Sequence, residues 1–282
     1  EDLMNKEVKV AIIDLYNGEE NQGIRCIKDI LNEADCRFPN LEITYDLFDA
    51  RAKNEMATID YDIFISSGGP GSPFEGEESD WEAEYFTLMD KIITNNQNIE
   101  NSKKHVFYIC HSFQLMARYF QFGEVVKRHS KSFGVMPVNK TKAGEEDIIL
   151  KNLPEPFYAA DFRDWQVIRP NWKKIEELNA QILCIEKERP HVPYERAIMA
   201  VRISDEILGT QFHPEADPAS MYFHFRKPER KEQVVSKYGI EKYNEMLKLL
   251  EEPESIPLTR KTVLPGFLNN AIKNLRYDEV GA

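Results

Sequence analysis

Short β-branched runs alternate with amphipathic helical stretches over about the first 120 residues, and no other property of the chain narrows its fold as far. Residues 8–15 form the first strand-like run, and a polar stretch and a helical pattern over 23–31 follow it. Residues 41–48, 61–65 and 105–109 give three more runs, with Trp81, Tyr85, Leu88, Met89 and Ile92 at helical spacing between the last two. Phe113, Met116, Ala117 and Phe120 mark another helix directly after the fourth run. Strands separated by helices form a parallel sheet covered on both faces, and such sheets hold their ligands at the carboxyl ends of the strands. The expected fold is α/β, flavodoxin-like and doubly wound, with a mainly parallel sheet.

From about residue 123 to 209 the pattern changes to short strand candidates at 123–126, 134–138, 181–185 and 197–203, which predicts an antiparallel extension. A last short strand, 207–212, ends at His213-Pro214-Glu215. Residues 231–251 are charged and helix-prone, Pro253 and Pro257 interrupt them, and Val263, Leu264, Phe267, Leu268, Ile272 and Leu275 form a second amphipathic stripe. The expected organisation is an α/β domain over 1–225 and a C-terminal helical extension over 226–282 packed on it. The stripe of Val234, Val235, Tyr238, Tyr243, Met246 and Leu250 either covers that domain or forms a dimer or synthase interface. Lys227, Arg230 and Lys231 read as a solvated helix start, with partner docking as the other reading.

Charge and cysteine content exclude several functions. A net charge of -12 argues against a nucleic-acid footprint or an anionic membrane surface, both of which call for clustered cations. Glu1 and Asp2 precede no apolar signal core, and no window approaches the roughly 18–20 apolar residues of a membrane span. The four cysteines, Cys26, Cys36, Cys110 and Cys184, show no CxxC spacing and fit a reducing compartment, so a cytoplasmic protein is expected. His105, His129, His191 and His224 lack metal-ligand spacing, and neither a metal nor another cofactor is expected.

Three segments carry chemistry. Val106-Phe107-Tyr108-Ile109 runs into Cys110 and then a helix, the sequence form of a nucleophile elbow, where the helix N-terminus favours the thiolate. His213 and Glu215 sit two residues apart at a strand end, on the same side of an extended backbone, and supply a base and its orienter. The loop Ser66-Ser67-Gly68-Gly69-Pro70-Gly71-Ser72-Pro73 follows a strand and lacks the Gly-Lys-Ser/Thr ending of a phosphate loop. Its Gly69 N–H and that of His111, next to the nucleophile, are the natural donors for an oxyanion. His111 adjoins Cys110, but adjacent side chains at such a turn diverge, which leaves it a backbone role.

Together these segments resemble the class I (triad) glutamine amidotransferase family, most closely the glutaminase units of GMP synthase and anthranilate synthase. The resemblance rests on Ser67-Gly68-Gly69-Pro70-Gly71-Ser72-Pro73, on the Cys-His-x-x-Gln of Cys110 to Gln114, and on Gln211-Phe212-His213-Pro214-Glu215. It covers roughly residues 8–225. It implies that Cys110 attacks the side-chain amide of glutamine, that His213 moves protons, and that Glu215 orients His213. A glutamyl thioester forms, ammonia leaves, and water releases glutamate. The resemblance also implies that Gly68, Gly71, Gln114 and the segment Ser132, Phe133 and Gly134 hold the substrate. No adenylation or pyrophosphatase loop is recognisable, so ammonia would pass to a separate synthase partner, another acceptor or solution.

The family elbow reads Gly-x-Cys-x-Gly, whereas here Tyr108 and Ser112 flank the cysteine. The family's frequent Ser-His pair is replaced by Asp161-Phe162-Arg163-Asp164-Trp165, which the resemblance marks as a region of partner or acceptor contact. Two other readings stay open: a hydrolase of the same fold acting on other γ-glutamyl compounds, and a catalytically weak regulatory or binding protein.

Overall fold

Buried runs of Val, Ile and Phe build the centre of one nine-stranded sheet. The computed structural model describes residues 6–280, with side chains through 275; Glu1, Asp2 and the outermost ends of the two expected domains lie outside the described residues. The first half runs β1 (Lys6–Asp14), α1 (Gly23–Arg37), β2 (Leu41–Asp49), α2 (Ala50–Lys53), β3 (Ile63–Ser66), α3 (Asp80–Gln97), β4 (His105–Ile109) and α4 (His111–Phe120). It continues with β5 (Glu124–Lys140), α5 (Lys142–Glu146), β6 (Phe157–Ile168), α6 (Trp172–Leu178), β7 (Gln181–Glu186), β8 (Ile198–Arg202) and β9 (Ile207–Thr210). Four helices close the chain: α7 (Pro218–Phe225), α8 (Pro228–Tyr238), α9 (Ile240–Leu249) and α10 (Ile256–Val280).

The strand order is β2-β1-β3-β4-β9-β8-β7-β5-β6. The first five strands in that order pair in parallel, in the doubly wound manner of flavodoxin-like sheets, and the remaining pairings are antiparallel. The expected parallel sheet with an antiparallel extension is thus observed. Alternation along each strand sorts the core into two faces. Val10, Ile12, Ile63, Ile65 and Phe107 pack with α1 and α10, while Ala11, Ile13, Phe64, Val106 and Tyr108 pack with α3 and α4.

Three elements differ from the expectation. The candidates at 123–126 and 134–138 are one long strand, β5, whose register shifts between Lys127 and Ser132. The charged stretch 231–251 is two helices, separated at Gly239, whose φ of 85° favours glycine. Residues 157–168, where no strand was expected, form β6 at the sheet edge. Asp161, Arg163 and Asp164 interrupt its apolar alternation, and the buried charges are paired both within the strand and across it: Arg163 meets Asp161 of the same strand at 2.9 Å and Glu186 of β7 at 3.4 Å.

α10 is part of the main core. Val263, Leu264, Phe267, Leu268, Ala271 and Ile272 are buried with the strands, and Phe267 meets the Phe107 ring edge-on at 5.2 Å. Val234, Tyr243, Met246 and Leu250 bury against Phe225 and Val135, covering the antiparallel end, whereas Tyr238 stays half exposed. Among the described residues, no helix is long and apolar enough to cross a membrane.

Candidate active site

Parallel β4 and β9 end side by side, and this brings Cys110 next to His213. Cys110 has φ 49° and ψ −98°, a sharp positive-φ turn between β4 and α4 that lifts its side chain out of the sheet. Its N–H donates to the Thr210 carbonyl at 2.8 Å, which pins the turn to the end of β9. Three residues beyond that strand, His213 donates its backbone N–H to Ala160 of β6 at 2.8 Å. His213 Nδ1 lies 2.8 Å from Glu215 Oε1, with side-chain exposures of 12% and 3%. Since Nδ1 faces the carboxylate, Nε2 is the ring nitrogen left for the thiol.

The elbow closes despite Tyr108. That side chain is buried with α3 and α4, and its partner across the β4–β9 pair is Gly209. Ser112 takes the other glycine place of the family pattern and is tied down. Its hydroxyl reaches Ser66 Oγ at 2.6 Å and donates to the Ser67 carbonyl at 2.5 Å, and Tyr85 adds its hydroxyl to Ser66 at 2.8 Å. Ser67 Oγ in turn accepts from the Leu15 N–H at 2.9 Å, so one chain of hydroxyls joins the ends of β1, β3 and the elbow.

Burial and charge oppose each other at His213. Desolvation favours the neutral ring, but the Glu215 carboxylate and the Cys110 thiolate beside it outweigh that and raise its pKa well above the ordinary value. His111 behaves in the opposite way. Burial, with the charges of Arg51 and Arg118, pushes it down to about 3, so its ring is neutral at physiological pH. An imidazole paired with a carboxylate and facing a cysteine at a helix N-terminus is suited to nucleophilic acyl transfer.

A cavity of 530 Å³ opens over Cys110 and His213. Of the expected residues, Gly69, Gly71, Gln114 and Phe133 line it. Gly68 lies beneath the imidazole: a Cβ there would stand 2.7 Å from His213 Cε1, so only glycine permits the approach. Gln114 is buried, and its amide nitrogen donates to the Trp165 carbonyl at 3.3 Å and to Gln211 Oε1 at 3.4 Å. Ser132 and Gly134 do not line the cavity. The Ser132 hydroxyl donates to Asp161 at 2.7 Å, and Gly134, at φ 130°, packs under Met246 and Phe225. Among the described residues no group of His, Cys, Asp and Glu could hold a metal ion.

Several site residues were not picked out from sequence. Phe162 accepts from the Cys110 thiol at 3.6 Å, and Phe162, Arg163, Asp164 and Trp165 line the cavity, so the stretch expected to meet a partner is a wall of the site. Gln211 donates its amide to the Cys110 sulfur at 3.7 Å; it stood inside the quoted Gln-Phe-His-Pro-Glu but drew no role. Tyr16 lines the cavity beside Gly68, and burial, then the Glu215 and Cys110 charges, holds its hydroxyl protonated as a donor. Its position at the carboxyl end of β1 was the available signal. Arg51 braces the glycine loop, donating to the Leu15 carbonyl at 3.0 Å and the Pro70 carbonyl at 2.8 Å.

The sequence profile of the family described as glutamine amidotransferase class-I matches residues 21–225. No curated protein matches the chain. Among solved structures, a glutamine amidotransferase from Thermotoga maritima superposes with a TM-score of 0.62 at 16% identity, over 95% of this chain and 97% of its own. A glutamine amidotransferase from Methylobacillus flagellatus gives 0.62 at 15% identity, over 95% of each chain. A Thermoplasma acidophilum protein, described as a candidate component of GMP synthase, gives 0.54 at 15% identity, over 97% of each chain. At these identities the likeness speaks for the fold.

Proposed function

The chain belongs to the class I glutamine amidotransferase family, and we propose that it hydrolyses the side-chain amide of glutamine through a thioester on Cys110. The observation that carries this reading is the 2.8 Å pair of His213 and Glu215 beside a cysteine held in a positive-φ elbow. The Cys110 thiolate adds to the amide carbon, and the developing oxyanion takes the N–H groups of His111 and Gly69. His213 then gives its proton to the departing nitrogen, and ammonia leaves. In the second half, His213 accepts a proton from water as the water attacks the thioester. Glutamate departs and the thiolate returns with the imidazolium.

Glu215 keeps the imidazole in the tautomer these transfers need. Gln114, Gly68, Gly71 and the backbone of Ser132, Phe133 and Gly134 hold the glutamine in this reading. Ammonia goes to a synthase partner protein, another acceptor or solution. The deciding experiment is a glutaminase assay on wild type and Cys110→Ala, with ammonia and glutamate both counted. Wild type releases them in equal amounts and Cys110→Ala releases neither; full activity in the variant ends the proposal.

A further inference from the structure

A carbonyl oxygen can only accept, and this fixes the direction of every proton in the hydroxyl chain behind the elbow. The Ser67 carbonyl accepts from Ser112 Oγ at 2.5 Å, which occupies the one proton that Ser112 has to give. Ser66 Oγ, 2.6 Å from Ser112 Oγ, is then the donor to it, and the Tyr85 hydroxyl, 2.8 Å from Ser66 Oγ, donates to Ser66. The chain runs one way, from Tyr85 through Ser66 and Ser112 to the Ser67 carbonyl, and all four residues are buried. A second serine contact continues along the loop. Ser67 Oγ accepts from the Leu15 N–H at 2.9 Å and donates to the Gly68 carbonyl at 2.8 Å.

The two serines hold successive peptide units of the glycine loop from opposite sides. Ser112 grips the Ser67 carbonyl from α4, which follows β4, while Ser67 Oγ grips the Gly68 carbonyl from the side of β1. β3, whose end carries the loop, lies between β1 and β4. The Gly68–Gly69 peptide is trans, so its N–H points opposite to its carbonyl, away from β1 and toward the β4 side where Cys110 stands. Two adjacent glycines have no side chain of their own to keep that orientation. Tyr85, Ser66, Ser67 and Ser112 do not line the cavity, so they act on a bound molecule only through the loop and the elbow.

We infer that Ser112, standing where the family pattern has glycine, is a positioning residue that locks the glycine loop to the elbow with the Gly69 N–H aimed at the oxyanion, and that Ser66 and Tyr85 back the lock. A glycine in this place has no hydroxyl to offer the Ser67 carbonyl. Removing the hydroxyl here leaves a buried carbonyl without this donor and the Ser66 hydroxyl without its acceptor. The inference rests on the glutaminase reading only for the reaction that the lock serves. Any carbonyl carbon that adds the Cys110 thiolate places an oxyanion against the same N–H groups.

The test compares two reactions of Cys110. With glutaric semialdehyde the thiolate adds to the aldehyde carbon, a C–S bond forms, the carbonyl π pair moves to oxygen, and that oxygen takes a proton to give a reversible hemithioacetal. With iodoacetamide the thiolate displaces iodide and no oxyanion develops. The readings are the aldehyde concentration that half-protects Cys110 from iodoacetamide, followed by peptide mass, and kcat and KM for glutamine. Ser112→Ala raises the half-protecting concentration by about tenfold and lowers kcat by a similar factor, short of the roughly 10²–10³-fold loss of an oxyanion donor itself. KM and the iodoacetamide rate without aldehyde stay as in wild type. Ser112→Gly, which installs the family's residue, loses as much. Tyr85→Phe, at the far end of the chain, shifts the same quantities by a smaller factor and serves if neither Ser112 variant folds. The inference is overturned by a wild type that the aldehyde does not protect, by wild-type protection in the Ser112 variants, or by an iodoacetamide rate that falls as far as the protection does. Protection that depends on Ser112 in a protein that releases no ammonia from glutamine upholds the inference and sinks the glutaminase reading.

Discussion

Tyr108 and Gly209 face each other across the β4–β9 pair, and a Cβ on Gly209 would lie 3.2 Å from the Tyr108 Cβ and 2.5 Å from the Met116 sulfur. The space the family obtains from a glycine two residues before the cysteine is obtained here from the neighbouring strand. Met116 and Phe113, the other side chains against Gly209, belong to the helix that Cys110 heads. Gly209→Ala is therefore expected to cost about 1–3 kcal/mol of stability by overpacking and to lower kcat by displacing that helix. Urea unfolding and the glutaminase assay read the two effects. An unchanged urea midpoint counts against this account of how Tyr108 is accommodated.

The raised pKa of His213 sets a pH dependence with a definite sign. Its folded value lies above the ordinary histidine range, mainly because the Glu215 and Cys110 charges overcome desolvation. The protonated ring therefore stabilises the fold fully below about pH 6.5 and loses this contribution as pH rises through the elevated value. In the proposed reaction ammonia departure takes a proton from His213, so kcat/KM is expected to fall along the same limb. Glu215→Gln lowers kcat by about 10²–10⁴-fold and moves the alkaline limb toward neutral pH. A limb that stays in place in Glu215→Gln would separate the titration from His213.

Behind Ser132 and Phe133, Asp161, Arg163, Glu186 and Arg128 form a buried ionic network, with Arg128 2.9 Å from Glu186 and Arg163 bridging to Asp161. Asp161 also holds Ser132. Arg163→Met leaves two buried carboxylates with less compensation and is expected to cost about 3–5 kcal/mol. It also raises KM for glutamine more than it lowers kcat, because Ser132 and Phe133 lose their backing while Cys110 keeps its own anchors. Calorimetry and steady-state kinetics on the variant check both statements; a fall in kcat alone would place Arg163 in the chemistry.

Much of this was legible in the residues, for local reasons. His105–Ile109 is entirely buried and ends at Cys110, so its boundaries follow from composition alone. Cys110, His213 and Glu215 could be grouped because each stands at the end of a strand-like run. β6 could not be read, because Asp161 and Arg163 break its alternation and are buried as a pair that Ser132 of β5 and Glu186 of β7 complete from the neighbouring strands. β5 was split because Lys127 and Ser132 straddle a register shift. Tyr16 and Gln211 drew no attention because their importance comes from which strand ends meet at Cys110. Lys227 and Arg230, read as a solvated helix start with partner docking as the other reading, are placed at the cavity by the fold of α7 onto α8.

The family signature begins at residue 21 and ends at 225, yet the scaffold beneath it extends past both limits. β1, which lies between β2 and β3, precedes it, and α10, which buries Phe107 and its neighbours from one face, follows it. The portion recognisable by descent and the portion that holds itself together are different lengths of the same polypeptide. Anyone trimming, fusing or transplanting this module by its recognisable borders would remove a central plank and a roof beam, leaving the chemistry intact on paper and nothing to stand on.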